Sequence, residues 1–278
     1  MTTVCLSFDF DATSIWVSTF KQLSPGPLSR GEYSARVGVA RVLDLLAETR
    51  VPATFFIPAH TAASHPGETR RIQAAGCEIG VHGFCHESPV GLPREQEADL
   101  LRRAIATLRG VLGPEFSPVG YRSPAVDLSA NTISLLEELH FLYDSSMSGD
   151  DFTPYRARRD DRANEERFTQ GPETSIIEMP FSWELDDFPY FAFLNKPLYS
   201  GLQSTDDVFR AWKDEFDYCH TAVRDGVFIL TMHPEYIGRG PRIWMLGRLI
   251  EYMKSLDNVR FSTLADEARR RCTPPIVR

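Results

Sequence analysis

Short apolar runs alternate with longer amphipathic stretches along nearly the whole chain. Runs at 4–8, 53–57, 78–81, 119–122, 142–144, 176–179, 227–232 and 259–261 have the length and bulk of buried strands. Between them, 32–48, 68–75, 94–112, 129–139, 206–224 and 242–256 read as helices, and Leu100, Leu101, Ala104, Leu108 and Leu112 have helical apolar spacing. Gly76, Gly113-Pro114 and Ser129 supply stop and start signals at the boundaries. Such alternation predicts parallel strands joined by right-handed crossovers. Seven or eight units without a break point to an α/β barrel related to the TIM architecture, with an open doubly wound sheet as the alternative. No repeat or linker divides the chain, so 1–278 reads as one domain.

The parity of the strands adds to this picture, because side chains alternate faces along a strand. Cys5, Ser7, Asp9 and Asp11 share one face, and Val4, Leu6, Phe8 and Phe10 the other. Glu78, Gly80 and His82 oppose Ile79 and Val81; Gly120 and Arg122 oppose Val119 and Tyr121; Thr231 and His233 oppose Phe228, Leu230 and Met232. Each polar strand-end residue therefore falls on the face that a barrel turns inward, at the C-terminal rim where such folds place their chemistry.

Those residues form a coherent chemical set. His82 and His86, four positions apart, can reach one ion, and Asp11 supplies a third donor; three protein ligands leave a position open, as in a catalytic zinc site. Zinc is the first choice, and cobalt, nickel or manganese also suit an N/O donor set. Asp9 can take a proton from water, His233 can give one to a departing nitrogen, and Arg122 can pair with Asp9. Each element alone is commonplace: His-x-x-x-His is often structural, and Asp-x-Asp is frequent in loops. The joint pattern points to a metal-dependent hydrolase. His60, His65, His140 and His220 lack this context and read as structural or exposed, and Cys85 reads as a packing residue. Glu87 beside His86 is a candidate to orient a ligand.

Composition narrows the reading further. A formal net charge of −8 and a pI near 5.4 argue against a nucleic-acid footprint and against a strongly anionic polymer as substrate. Five scattered cysteines imply no disulfide framework, and no signal segment or membrane span is visible, so a cytoplasmic location is expected. Segment 156–170, dense in both charges, reads as a solvated loop or exposed helix. Segment 181–199 is rich in aromatics (Trp183, Phe188, Tyr190, Phe191, Phe193, Tyr199) and suits a pocket wall, core packing or a subunit interface.

In its ordered motifs the chain resembles the polysaccharide deacetylase (NodB-homology) family. Ser7-Phe8-Asp9-Phe10-Asp11, Pro52-Ala-Thr-Phe-Phe-Ile-Pro58, His82-x-x-x-His86, Arg122-Ser123-Pro124 and Leu230-Thr231-Met232-His233 carry the likeness across nearly the whole chain. The resemblance implies a distorted (β/α) barrel of about seven parallel strands and metal-dependent cleavage of a non-peptide C–N bond. By position it makes Asp9 the base, Arg122 its partner, His233 the acid, and Asp11, His82 and His86 the ligands. Phe10 separates aspartates that are usually adjacent, Ala125 stands where an aromatic usually follows the proline, and the acidic partner of His233 falls to Asp186 or Asp187. These departures are similar to a branch of peptidoglycan-deacetylase-like proteins, cyclic imide hydrolases and allantoinase-like enzymes. That branch implies a homo-oligomer, often a tetramer, and a small-molecule or amino-sugar substrate; Glu87, Trp183 and Asp187 are candidates to contact that substrate or to orient the groups that do. A catalytically inactive binding protein on the same fold is the competing class. A glycosidase pair is disfavoured, because Asp9 and Asp11 lie too close in sequence to flank a glycosidic bond.

Overall fold

The computed structural model describes residues 1–194 and 201–272, so Tyr199 lies outside the described residues. Its strands are β1 (Thr2–Asp9), β2 (Ala53–Ile57), β3 (Glu78–Val81), β4 (Gly120–Tyr121), β5 (Tyr143–Asp144), β6 (Tyr155–Arg158), β7 (Arg162–Ala163), β8 (Phe168–Thr169), β9 (Glu173–Glu178), β10 (Val227–Met232) and β11 (Val259–Phe261). The helices are α1 (Pro25–Tyr33), α2 (Val39–Thr49), α3 (Ala59–Ser64), α4 (Pro66–Ala74), α5 (Arg94–Leu112), α6 (Thr132–Glu138), α7 (Asp187–Phe191), α8 (Thr205–Ala222), α9 (Gly240–Lys254) and α10 (Leu264–Cys272).

Parallel pairing runs β10-β1-β2-β3-β4-β5-β9, the seven strands expected, and β6 adds an antiparallel edge beside β9. Strand β1 is long enough to serve three partners. Its residues Thr2–Val4 pair with β11 and Leu6–Asp9 with β2 along one edge, while β10 runs along the other. The sheet curls into a half-barrel, and an isolated parallel bridge between Asp186 and Thr231 spans the gap toward β10. Segment 156–170 is corrected here: it is neither plain loop nor helix. Its start pairs with β9, and the remainder contains the hairpin β7–β8, whose charged side chains stay in solvent while the backbone satisfies itself. Helices α3, α7 and α10, and all but the last two residues of α1, have no counterpart among the predicted helices; they are short or, for α10, strongly charged. Among the described residues no helix is long and apolar enough to cross a membrane.

The predicted alternation holds in three dimensions. Val4, Leu6, Phe8 and Phe10 pack outward under the helices, with Val42, Leu46, Phe216 and Leu249. Cys5 points inward with Phe56, Tyr143, Ile177, Val227 and Ile229, and α10 stoppers the lower end with Leu264, Ala265 and Ala268. Glu78 ties this plug to the sheet, accepting hydrogen bonds from the Tyr143 hydroxyl (2.7 Å), the Thr54 hydroxyl (2.7 Å) and the Ala265 N–H (3.0 Å). Burial nonetheless raises its pKa.

Two glycines make room for the interior rings. A Cβ on Gly80 would lie 2.7 Å from the Phe56 ring, and one on Gly120 would lie 2.1 Å from the Tyr143 hydroxyl oxygen. Gly120→Ala is therefore expected to destabilise the fold by about 1–3 kcal/mol or more through overpacking, read as a lowered midpoint in denaturant unfolding. An unchanged midpoint would show that Tyr143 moves aside freely.

Candidate active site

The polar residues that follow the strands gather at the C-terminal rim. Phe10 N–H continues the ladder to Phe56 O (2.9 Å), so Asp9 and Asp11 fall on the same inward side with Phe10 buried outward between them. The intervening phenylalanine thus preserves the carboxylate pair and adds an anchor in the outer core. The turn after Asp11, with Ala12 at φ 47°, is held by Ser14 N–H (2.9 Å) and the Thr61 hydroxyl (2.5 Å), both donating to Asp11 O.

Arg122, fully buried, distributes its guanidinium among inward acceptors. Its Nη1 donates to Asp9 Oδ1 (2.8 Å) and Ser7 Oγ (3.0 Å), Nε to Ser145 O (3.0 Å), and Nη2 to Ser145 Oγ (2.9 Å). The cation also rests over the Phe56 ring at 4.4 Å. Burial alone would raise the Asp9 pKa, but Arg122 and the nearby imidazoles of His82 and His233 hold it below the ordinary carboxylate value.

Asp11, His82 and His86 converge as a trio whose donor atoms lie within 4.8 Å of one another. His82 Nε2 is 3.5 Å from Asp11 Oδ1, and His86 Nε2 is 3.6 Å from Asp11 Oδ2. Ligands bound tetrahedrally at zinc distances sit about 3.3 Å apart, so these separations suit a single ion. Both oxygens of buried Asp11 lack any hydrogen-bond donor, a costly arrangement for a carboxylate unless a cation faces it. Each imidazole is oriented through its other nitrogen. His82 Nδ1 meets Arg122 O (2.7 Å), and His86 Nδ1 meets Thr19 Oγ1 (2.6 Å). Thr19 gives its own hydroxyl hydrogen to His86 O (2.9 Å), so Oγ1 accepts from Nδ1–H and leaves His86 Nε2 as a lone-pair donor. Burial lowers the pKa of both rings, that of His86 to about 4, and so favours the neutral form that a metal ligand would need.

Thr19 escaped the sequence reading, because the π-helical turn Ile15–Thr19 that carries it has no marker in the chain. Removing its hydroxyl in Thr19→Val is expected to weaken metal affinity by about 10–100-fold, measured by competition with a chelator. Equal affinity would mean that His86 is oriented by packing alone. Glu87 sits outside the cavity and accepts from Phe84 N–H (2.9 Å) and Cys85 N–H (2.5 Å). It thereby braces the turn that holds His86 at φ 60°.

On the opposite side, His233 is clasped by Asp187, whose carboxylate accepts from its N–H (3.0 and 3.1 Å) and meets Nδ1 at 2.7 Å. Asp186 Oδ1 is farther from that nitrogen, 3.6 Å, and accepts from Phe188 N–H (2.8 Å) as the cap of α7. Asp187 is thus the direct partner, and Asp186 lines the cavity. Burial would pull the His233 pKa down, but Asp186 and Asp187 raise it well above the usual imidazole value. Asp186 itself is pushed up to about 7 by burial and by Asp187. Replacing Asp187 by Asn removes a negative charge that favours the His233 imidazolium, so that cation is lost at lower pH. The alkaline limb of the kcat/KM profile should move down; an unmoved limb would exclude His233–Asp187 as the group that titrates there.

Over this polar floor stands a cavity of about 130 Å³ with apolar walls. Ile15, Phe20, Ala125, Val126, Trp183 and Phe188 form the walls, and Asp9, Thr19, His82, His86, Asp186 and His233 the base. Phe188 packs edge-on against His233 at 5.6 Å. Trp183, half exposed, lies at the mouth. Ala125 and Val126 both adopt left-handed backbone, at φ 55° and 51°; for a β-branched valine this is strained, and it is held at the pocket wall.

Comparison with known proteins agrees with this architecture. A family model described as "Polysaccharide deacetylase" matches residues 15–143. The chain is similar to a peptidoglycan deacetylase of Helicobacter pylori, 32% identical over 96% of both chains. It is also similar to a peptidoglycan deacetylase-like protein of Gibberella zeae, 31% identical over 96% of this chain and 85% of that one. Among solved structures, a putative polysaccharide deacetylase from Mycobacterium smegmatis superposes with a TM-score of 0.85 at 32% identity, covering 97% of this chain and 89% of that one. The allantoinase Puue superposes with a TM-score of 0.75 at 26% identity, covering 96% and 89%. With the curled parallel sheet, these matches show that the chain belongs to the polysaccharide deacetylase family.

Proposed function

We propose that residues 1–278 form one catalytic domain of a metal-dependent hydrolase that opens a small cyclic amide or imide at a non-peptide C–N bond. The observation that carries the substrate class is the small, apolar-walled cavity of about 130 Å³ above Asp11, His82 and His86. That is well below the roughly 300–1,000 Å³ of pockets that hold larger ligands, and it fits a small ring better than a glycan chain. Likeness to an allantoinase supports the same choice.

Asp11, His82 and His86 would hold one divalent ion, zinc first, with cobalt, nickel or manganese as alternatives. Such an ion lowers the pKa of a water and polarises a carbonyl oxygen. Asp9, held ionised by Arg122, takes the proton from the attacking water. His233, kept protonated by Asp187, gives its proton to the departing nitrogen, which in a ring stays tethered to the product. Phe188 and the apolar walls border the polar floor and leave few polar groups beside it to compete for the two protons. The protein is read as a cytoplasmic homo-oligomer, a tetramer by its family likeness.

A panel of succinimide, dihydrouracil, allantoin and N-acetylated amino sugars, assayed with zinc, cobalt, nickel and manganese, tests the reading. Turnover of a small ring is the expected result. The peptidoglycan deacetylase relative favours a second reading, N-deacetylation of an amino sugar, and faster release of acetate from the sugars would establish it instead. Hydrolysis of nothing in the panel, with no metal bound, would favour an inactive binding protein.

A further inference from the structure

Two buried carboxyls take no part in the site described above. Asp144 ends β5 and Glu178 ends β9, and they are register neighbours on adjacent parallel strands. Both are fully buried on the face turned away from the barrel interior, since Tyr143 and Ile177 point inward. One oxygen of each is well supplied. Glu178 Oε1 accepts from Ser146 N–H and Met147 N–H, both at 2.9 Å, and Asp144 Oδ1 accepts from the Ser146 hydroxyl at 2.7 Å. The other two, Asp144 Oδ2 and Glu178 Oε2, have no donor, and neither carboxyl forms an ion pair among the described residues.

Two ionised carboxylates side by side in a dry interior repel each other and lack solvation. One proton placed between the two bare oxygens satisfies both. We propose that Asp144 and Glu178 share a single proton and act as positioning residues for Arg122, and through Arg122 for Asp9. The connection is short. Ser145 lies between Asp144 and Ser146, and its carbonyl and hydroxyl accept from Arg122 Nε and Nη2 while Arg122 Nη1 holds Asp9. Burial first, then the adjacent carboxyl, raises Glu178 well above its ordinary pKa, and burial raises Asp144 to about 6. The proton belongs to the pair, both of whose members burial pushes upward. The other ionisable groups facing the pair are Arg122 at the end of β4, which favours ionised Asp144, and the phenols of Tyr121 and Tyr155, whose pKa values burial raises. Loss of the shared proton at high pH would push the ends of β5 and β9 apart and loosen both acceptors of Arg122.

The positioning role rests on the reading of Asp9 as base, so the test has one arm that does not need turnover. Infrared spectroscopy of the whole protein at neutral pH should show a protonated-carboxyl C=O band that Glu178→Gln and Asp144→Asn each remove. With the preferred substrate, both amide variants should keep kcat within about three-fold, because an amide N–H replaces the shared proton, whereas Glu178→Ala should lose about 10²-fold at unchanged KM and metal content. Wild-type turnover should also fall at lower alkaline pH than that of the amide variants, which keep only the limb set by His233. No band in the wild type, or Gln and Asn variants as impaired as Ala, would overturn the proposal. A band that both amide variants remove, together with no hydrolysis of any panel substrate, would leave the shared proton standing and remove the hydrolase reading instead.

Discussion

His82→Ala is expected to empty the metal site and reduce turnover on the order of 10³-fold or more, because the reaction then loses the ion that brings a water's pKa from 15.7 toward about 7. On the proposed assignment the ring supplies one of three donors, and its removal leaves Asp11 and His86 alone. It also leaves Asp11 Oδ1, which has no hydrogen-bond donor, facing a void. Elemental analysis should fall from about one divalent ion per chain to near none, and added metal should no longer raise the melting temperature, since stabilisation by a ligand requires a site that binds it. Retention of metal with activity within a few-fold of wild type would show that the ion, if bound, sits elsewhere. The melting temperature of the metal-free variant separates this outcome from a failure to fold.

Asp9→Asn is the second large effect: turnover should drop by about 10²–10⁴-fold while metal content stays unchanged. The amide has the shape of the carboxylate, and its oxygen can still accept from Arg122 Nη1, now 2.8 Å from Asp9 Oδ1. It cannot take up a proton, so the attacking water loses its base. The substitution also leaves Arg122, fully buried, without its one ionic partner among the described residues, and some loss of stability should accompany it. Normal kcat in a metal-loaded Asp9→Asn protein would remove Asp9 from the role of base and turn attention to Asp186, which lines the same cavity with a pKa pushed up to about 7.

Much of this was legible along the chain because it depends on local rules. A strand alternates its faces whatever lies beside it, so the parity of Cys5, Ser7, Asp9 and Asp11 placed two carboxylates inward before any partner was known. The same rule placed Arg122 and His233. Segment 156–170 was misread because β6 depends on pairing with β9, and the hairpin β7–β8 exposes its side chains, which hides the apolar alternation that marks a strand. Helix α10 was missed for a related reason: its charged residues dominate the pattern, while only Leu264, Ala265 and Ala268 enter the barrel.

The sequence by itself determined the order and type of the main elements, the inward face of each strand, and a set of residues able to hold a metal and move two protons. Only the tertiary structure decided that Asp187 and not Asp186 clasps His233, that Thr19 orients His86, and that apolar walls narrow the cavity to about 130 Å³. It also brought Asp144 beside Glu178, residues 34 positions apart, with no charge pattern to announce the pair. The physical reason is the range of each effect. Alternation and helical spacing are fixed by the backbone within a few residues, whereas hydrogen-bond partners, burial and shared protons depend on which strand ends the fold sets side by side.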